Sequence, residues 1–586
     1  MEFTRVFDII YYQQKSYPKA DALADKTSGE WNKYSTSEFI EIATRISFGL
    51  LESGIKKDDK VAIVSQNRTE WNFADLGIQQ IGAISVPLYP NSTVDDYRFI
   101  LKDSEVKIVF VSNQEILAKV QEAISDNPAI QAIYTFDKIE GQKHWTEIRD
   151  KGNGRQLSDI ELFKNTVSPT DLLTLIYTSG TTGTPKGVML THNNIVSNVK
   201  ACKPLMPVGP EDRALSFLPL SHVYERMLNY LYTSVGVSIY YAESLETISD
   251  NLKEIKPQIF VTVPRLLEKV YDKIVTKGGD LKGIKKMLFF WALDLGLKYD
   301  NSIKQGFFYD IQLKLANKLI FSKWREALGG NVKAIVTGGA ALQVRLARVF
   351  TAAQIQVMQG YGLTETSPVI SVNRANLEEN RFGTVGPLVE GVEVKLAEDG
   401  EILSRGPHIM KGYYKRPEVT AEAIDADGWF HTGDIGEWVE GKYLKITDRK
   451  KEIFKTSGGK YIAPQIIENK IKESKLVEQA MVIGDGQKFP AALIIPNFAN
   501  LRAYCNHKGI PYSTDAEMIK NKIILEKFDR EMEEANAGFA QYEKIKKFEL
   551  FDKMWTIDSG ELTPKLSLKR KVIMANCKDR IEQIYC

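Results

Sequence analysis

Between Lys60 and Gly362, short runs of aliphatic and β-branched residues keep returning: KVAIVS from Lys60, ISVPLY from Ile84, VKIVFVS from Val106, QIFVTVPR from Gln258, VKAIVTGG from Val332 and IQVMQGYG from Ile355. Stretches of helical periodicity separate them. A strand covered on both faces reads as an unbroken apolar run, and parallel neighbours need a crossover that is usually a helix. The alternation therefore constrains the chain to helix-covered, mostly parallel sheets, an α/β fold. At 586 residues the chain also exceeds the roughly 250–300 at which a single core stops growing, so more than one domain is expected.

Two stretches break the pattern. From about Glu268 to Gly329 the text is helical and dense in aromatics, KKMLFFWALDLGLKY and later FFYDIQLKLANKLIFSKW. Its apolar stripe is expected to pack on the core, with the wall of an apolar pocket or an interfacial surface as the other reading. From Asp399 the text turns to EDGEILSRGP, DADGWFHTGD and VEGKYLKITDRKK, which predicts hairpins joined by Gly and Asp turns, a β-rich subdomain. After Lys451 a small α+β pattern begins: helix APQIIENKIKES, strands VEQAMVIG and AALIIP, further helices to about Tyr542, then strand KKFELF. The expected division is an N-terminal domain, 1–448, and a small mobile C-terminal domain, 449–586.

Charge narrows the partners. Lys and Arg number 77 against 75 acidic residues, a net +2, which gives no electrostatic reason for a nucleic-acid partner. The cysteines, Cys202, Cys505, Cys577 and Cys586, have no C-x-x-C spacing, and the six histidines have no H-E-x-x-H spacing. Neither a disulfide framework nor a catalytic transition metal is expected. The N-terminus carries charges too early for a signal peptide. The longest apolar run, Met287 to Leu297, is 11 residues with Asp294 inside it, short of the roughly 18 of a membrane span. A cytoplasmic protein is expected, with any membrane contact peripheral, at the inner face. Oligomeric state is open at this point, a homodimer included.

Chemistry concentrates in YTSGTTGTPKGV, Tyr177 to Val188. Gly180, Gly183 and Gly187 let the backbone turn and bring amides close to an anion. Thr178, Ser179, Thr181, Thr182 and Thr184 offer hydroxyls, and Lys186 a positive charge. These are parts that grip phosphate, more than a polar surface turn requires. A Walker A loop is disfavoured: counted from Gly180, Pro185 stands where a glycine is required and Gly187 where Ser or Thr is required. The following GVMLTH also reads as a strand, so no helix N-terminus directly follows the loop.

The stretch resembles the signature loop of the AMP-forming adenylate ligases, the superfamily of acyl-CoA synthetases, luciferases and peptide-synthetase adenylation domains. Further family-like motifs follow in order: LPLSHVYER at 218–226, TGGA at 337–340, QGYGLTE at 359–365, GEILSRGPHIMKGYY at 400–414, GWFHTGDI at 428–435 and ITDRKKEIFKTSGGKYIAP at 446–464. The last two, with the LTP-containing C-terminal region, are most similar to the long-chain fatty acyl-CoA synthetases. The resemblance implies that ATP and a fatty acid give an acyl-adenylate and pyrophosphate, after which the thiol of CoA displaces AMP. It also implies that the small domain rotates about Lys451 between the two steps.

Site roles implied by the resemblance are as follows. Thr178, Ser179, Gly180, Thr181, Thr182, Gly183 and Lys186 would hold the β- and γ-phosphates. Thr364 and Glu365 would contact the α-phosphate and Mg²⁺, with Glu365 as the metal-holding carboxylate. Gly338, Gly339 and Ala340 would lie against adenine. Tyr361, with Gln359, Gly360 and Gly362 around it, would cover the other face of the base. Asp434 and Arg449 would bind the ribose, with Ile446 and Lys455 completing the nucleotide set. His222 would line the carboxylate pocket, and Gly458 and Gly459 the pantetheine path. The C-terminus departs from the pattern. Long-chain members carry a sequence like LTPTLKLKR, whose middle lysine serves adenylation, whereas this chain reads LTPKLSLKR from Leu562 to Arg570. Ser567 occupies that place, so Lys565 is the expected substitute, with Lys569 the other neighbour. A neutral hydroxyl cannot replace an ammonium opposite two anions. Two alternatives therefore stand beside the synthetase: a fatty acyl-AMP ligase that loads a carrier protein, and a catalytically silent acyl- or nucleotide-binding relative.

Overall fold

The computed structural model describes the chain except for Met1, Ser28, residues 180–183, Asp558 and residues 564–566, together with the side chain of Ser179. It divides into two compact units: residues 1–395, 403–431 and 438–444 in the first, and 396–402, 432–437 and 445–586 in the second.

Two large sheets build the first unit. One has seven strands in the spatial order Gly412–Tyr413, Pro185–Thr191, Leu172–Ser179, Ile84–Leu88, Lys60–Val64, Val106–Val111 and Ala132–Thr135. The five from Leu172–Ser179 onward run parallel, and the first two are antiparallel additions at one edge. The other has eight strands: Val369–Val372, Gln356–Gly362, Ala334–Thr337, Ile259–Thr262, Arg213–Ser216, Ser238–Tyr241, Leu23–Thr27 and Glu30–Tyr34, parallel except at its two ends. Each of the six runs noted in the sequence forms one of these strands.

A shared core joins the sheets: Ile63, Phe110 and Ile176 of the first sheet belong to the same apolar cluster as Ile239, Ile259 and Val336 of the second. The opposite face of the eight-stranded sheet is covered by the helices Pro264–Gly279, Gly283–Lys298, Ser322–Ala327 and Val344–Ala352, whose Phe289, Trp324 and Phe350 share an apolar cluster with Phe260 of the sheet. The aromatic stretch after Glu268 is thus helical, and its inner side packs on the sheet.

The helix Val223–Ser234 lies in the shared core and carries charge there. The Arg226 guanidinium, almost fully buried, donates to Asp75 Oδ1 at 2.5 Å, Ser85 Oγ at 2.6 Å, Thr174 Oγ1 at 2.8 Å and Tyr230 Oη at 2.8 Å. Tyr230 and Gln79 both donate to the other oxygen of Asp75. Thr174 and Ser85 belong to neighbouring strands of the seven-stranded sheet, so the guanidinium ties helix to sheet. The adjacent Glu225 accepts from Ser216 Oγ at 2.5 Å on the eight-stranded sheet.

In the second unit, lengths of strand within 396–402, 432–437 and 445–449 lie side by side: Gly436 N donates to Gly400 O, Thr432 Oγ1 to Ile402 O and Thr447 Oγ1 to Ile435 O. Beyond Phe454 a three-stranded sheet, Val477–Ile483, Ala491–Pro496 and Lys547–Leu550, is apolar on both faces. One face packs on the helices Pro464–Ile471, Phe498–Lys508 and Lys522–Ala535, the other on the terminal helices through Ile573 and Ile584.

Removing one member of a buried ion pair strands the other's charge, which typically costs about 3–5 kcal/mol. Asp75→Ala is therefore expected to lower the stability of the first unit by about that amount in urea denaturation followed by tryptophan fluorescence. The pair replacement Asp75→Leu with Arg226→Met is expected to recover most of it.

Candidate active site

The parallel strands Leu172–Ser179, Arg213–Ser216, Ala334–Thr337 and Gln356–Gly362 all lead at their carboxyl ends into the polar segments singled out in the sequence. This is the end of an α/β sheet where ligands bind. The opening motif is a β-hairpin: Thr178 pairs with Lys186 and Tyr177 with Gly187 across antiparallel strands. Helix His192–Cys202 starts only after the second strand, capped by Thr191, so the loop is not a Walker A strand–loop–helix. Gly180, Thr181, Thr182 and Gly183 lie outside the described residues. A Cβ at Gly187 would come within 3.0 Å of Tyr177 Cζ, which explains a glycine opposite that ring.

Three separate motifs meet at the hairpin. The strand Gly412–Tyr413 pairs with Pro185–Thr191, setting Tyr413 opposite Val188, and Tyr414 N donates to Gly187 O at 2.8 Å. Tyr413 Oη donates to Glu365 Oε1 at 3.0 Å, and Met410 N donates to Glu365 O at 2.9 Å. Lys186 Nζ stands 5.3 Å from the centre of the Tyr413 ring, within cation–π range. Burial, and then the neighbouring Glu365 carboxylate, push the Tyr413 hydroxyl far above its ordinary titration, so it stays a hydrogen-bond donor. The structure thereby brings Lys186 and Glu365 together through a residue to which the sequence reading gave no role. The one signal was its position in GEILSRGPHIMKGYY.

Glu365 sits in the single turn Thr364–Thr366, and Thr364 is buried. The turn is fixed by its approach: Gln359 pairs with Thr337, then Gly360, Tyr361 and Gly362 leave the parallel neighbour and pair antiparallel with Val372, Ser371 and Val369, with a bulge between Tyr361 and Gly362. Such a bulge re-aims the side chains that follow. A Cβ on Gly362 would fall 1.7 Å from Pro368 O, so no other residue fits. At the neighbouring strand end, Gly338 is packed against Tyr224, whose Cζ lies 3.3 Å from where a Cβ would stand, while Gly339 has φ +78°. Ala340 is exposed.

His222 caps the helix Val223–Ser234, its Nδ1 accepting from Tyr224 N at 3.0 Å. Asn67 braces the loop before it, donating to Leu218 O at 2.7 Å and accepting from Leu220 N at 2.9 Å, a support with no signal in the local sequence. Glu225 is wholly buried: Oε1 accepts from Ser216 and Asn229, and Oε2 has no hydrogen-bond partner. Burial pushes its carboxyl up to about 8, so the group is neutral at pH 7.

In the second unit, Asp434 is buried, and Arg449, about half exposed, reaches to within 3.5 Å of its Oδ1. The two predicted ribose contacts are thus neighbours, one on strand Phe430–Val439 and one at the end of Tyr443–Arg449, which also holds Ile446. Asp448 is buried next to Arg449 and accepts from its N–H at 2.6 Å; burial pushes its carboxyl up to about 7. Lys450 is held by Asp399 and Glu401, while Lys451 is exposed. Lys455 lies on a short strand paired with Tyr461–Ile462, and Gly458 and Gly459 form the exposed turn between, with Gly459 at φ +78°.

Lys565 lies outside the described residues. Around it, Thr563 and Ser567 bond backbone to backbone at 2.9 Å and Leu562 bridges Leu568, while Arg570 just beyond is anchored to Glu452, Glu468 and Val482 O. Among the described residues no group of three or more His, Cys, Asp or Glu is placed to hold a metal.

Residues 10–414 match the family model described as AMP-binding enzyme, and residues 451–586 the model described as AMP-binding enzyme C-terminal domain. The long-chain-fatty-acid–CoA ligase FadD15 of Mycobacterium bovis is 31% identical over all of this chain and 97% of its own length. Long-chain-fatty-acid–CoA ligase 1 of Homo sapiens is 32% identical over 95% of this chain and 82% of its own. Among solved structures, the adenylation domain of a carboxylate reductase from Mycobacterium chelonae superposes with a TM-score of 0.76 at 22% identity, covering 99% of this chain and 91% of that one. ATP-bound MatB of Rhodopseudomonas palustris gives 0.73 at 20% identity, covering 99% and 100%.

The buried Glu225 generates a pH prediction. Its carboxyl titrates near 8 in the fold and at about 4.3 in an unfolded chain, so between those values the folded state holds a proton that the unfolded state has released. Stability must then fall as pH rises from about 4 to 8. Glu225→Gln, neutral throughout, is expected to flatten the decline of Tm over pH 5 to 8.

Proposed function

Since the chain belongs to the AMP-binding enzymes, among the long-chain-fatty-acid–CoA ligases, we propose that it joins a long-chain fatty acid to CoA through an acyl-adenylate. One carboxylate oxygen of the acid attacks the α-phosphorus of ATP, the bond to the bridging oxygen breaks, and pyrophosphate leaves. The sulfur of CoA then attacks the acyl carbon and AMP departs with the electron pair, giving the thioester.

The observation that carries the reading is the meeting of Lys186, Tyr413 and Glu365 beside the hydroxyl-rich hairpin. Two anions must be brought together in the first step, and charge neutralisation with in-line positioning supplies most of the rate. Thr178 and Lys186, with the loop residues between them, would hold the departing phosphates. Thr364 would contact the α-phosphate. Glu365, whose Oε1 accepts from Tyr413, would hold Mg²⁺, which when bound neutralises phosphate charge. Gly338, Gly339 and Ala340, with little or no side chain, would lie against adenine, and Tyr361 would stack on its other face. Asp434 would accept from the ribose hydroxyls with Arg449 beside it. His222, whose Nδ1 caps the helix, would line the pocket of the substrate carboxylate. Lys451 would serve as the hinge, and Gly458 and Gly459 as the pantetheine path. The small-domain cation falls to Lys565.

With ATP, Mg²⁺, palmitate and CoA, the expected products are AMP, pyrophosphate and palmitoyl-CoA, followed by labelled nucleotide and thioester assay. Release of ADP overturns the reading, and pyrophosphate release with no thioester transfers it to an AMP ligase. Lys565→Ala is expected to slow adenylation strongly while leaving thioester formation from preformed palmitoyl-AMP in place; unchanged adenylation would shift the role to Lys569. Tyr413→Phe removes a hydrogen bond to a charged group, typically about 1.5–3 kcal/mol. It should lower kcat/KM for ATP roughly ten-fold or more, with partial recovery at high Mg²⁺.

A further inference from the structure

Ten of the 22 exposed large apolar side chains among the described residues fall within 281–319, a concentration that scattered surface hydrophobics do not produce. The helix Gly283–Lys298 buries Phe289, Ala292, Leu293 and Gly296 inward, yet its outer side carries Ile284 at 70% and Met287 at 64% exposure. On the helix Phe307–Ala316 and the turn after it, Phe307, Ile311, Leu315 and Leu319 follow one another at intervals of four, a single stripe along the solvent side. Phe307 is 73% exposed and Phe308 beside it 79%. A helix packed on a core keeps polar residues on that side. The two helices are joined by contact, Tyr309 Oη donating to Leu295 O at 2.7 Å.

The charge around these residues is one-sided. Residues 277–323 hold nine lysines and four aspartates, a net +5, whereas the whole chain is +2. Lys282, Lys285, Lys286, Lys304, Lys314 and Lys318 are all exposed, while Asp294 is paired with Lys298 and Asp300 with Arg348. This distribution selects the occupant. A two-fold self-contact would set the patch against its own copy, lysines against lysines, an arrangement that like charge disfavours. An anionic interface accepts both features: apolar side chains enter the boundary between headgroups and acyl chains while lysine stems lie along it and their ammonium groups reach the phosphates. No described helix is long and apolar enough to cross a membrane, so contact would be in the plane of the surface.

We propose that the outward face of segment 281–319 is a docking surface for an anionic lipid bilayer. The surface stands on exposure and charge alone; only its use, meeting fatty acid where it is dissolved, rests on the ligase reading. The test is co-sedimentation of the full chain with phosphatidylcholine vesicles with and without phosphatidylglycerol. Binding is expected to need phosphatidylglycerol and to weaken with salt. It should fall roughly ten-fold or more in Phe307→Ser/Phe308→Ser/Ile311→Ser and in Lys282→Glu/Lys285→Glu/Lys286→Glu. Both variants should release pyrophosphate from octanoate and ATP without vesicles as the parent does, since none of these residues belongs to the active site. Parent protein that ignores anionic vesicles, or triple variants that bind them undiminished, overturns the proposal. So does sedimentation velocity showing a dimer that the phenylalanine variant dissociates while vesicle binding persists. Vesicle binding by a protein that releases no pyrophosphate would instead overturn the ligase reading and leave the surface standing.

Discussion

Two adjacent buried polar side chains, the protonated Glu225 and the charged Arg226, fix one helix between two sheets. Arg226 reaches Thr174 and Ser85 on the seven-stranded sheet and Asp75 on the helix Thr69–Gln80; Glu225 reaches Ser216 on the eight-stranded sheet. Apolar packing in the shared core supplies bulk stabilisation but is indifferent to register. A guanidinium satisfied by several fixed acceptors is not, because any slip leaves a buried charge unpaired. From this helix start the placements of His222 at its cap and Tyr224 against Gly338, and so the spacing between the strand ends that carry the polar motifs.

The hairpin side depends on a different device. The short strand Gly412–Tyr413 adds to the edge of the hairpin and carries Tyr413 between Lys186 and Glu365. A carboxylate and an ammonium left to themselves would close into an ion pair and occupy the place of a ligand. A tyrosine between them satisfies one carboxylate oxygen with a neutral donor and offers the lysine only the face of a ring. Both side chains are thereby held apart, on rigid strands and a single tight turn.

Much of this was legible beforehand. The six apolar runs named the strands because a strand buried on both faces has no polar alternation to hide. The Pro185 and Gly187 departures from the Walker A pattern correctly separated a strand–loop–strand hairpin from a strand–loop–helix. The bridging roles of Tyr413 and Asn67 around the candidate site, and of Asp75 in the core, were not legible. Each works across a gap of tens to more than a hundred residues, and nothing in the local text distinguishes a bridging tyrosine or asparagine from an ordinary one. For the aromatic stretch after Glu268 the sequence left core packing and an apolar surface both open, and the inner side packs on the sheet while the outer side exposes apolar residues; periodicity gives the existence of an apolar stripe but not which way a second one points.

The sequence by itself determined the element types, the parallel sheets and the family, because these follow from periodicity, glycine placement and ordered motifs along one chain. Which charges meet was decided only by tertiary structure: Lys186 with Tyr413 and Glu365, Asp434 with Arg449, Arg226 with Asp75. Electrostatic interactions fall off over a few ångströms and depend on burial, and neither distance nor burial exists until strands remote in sequence are laid side by side.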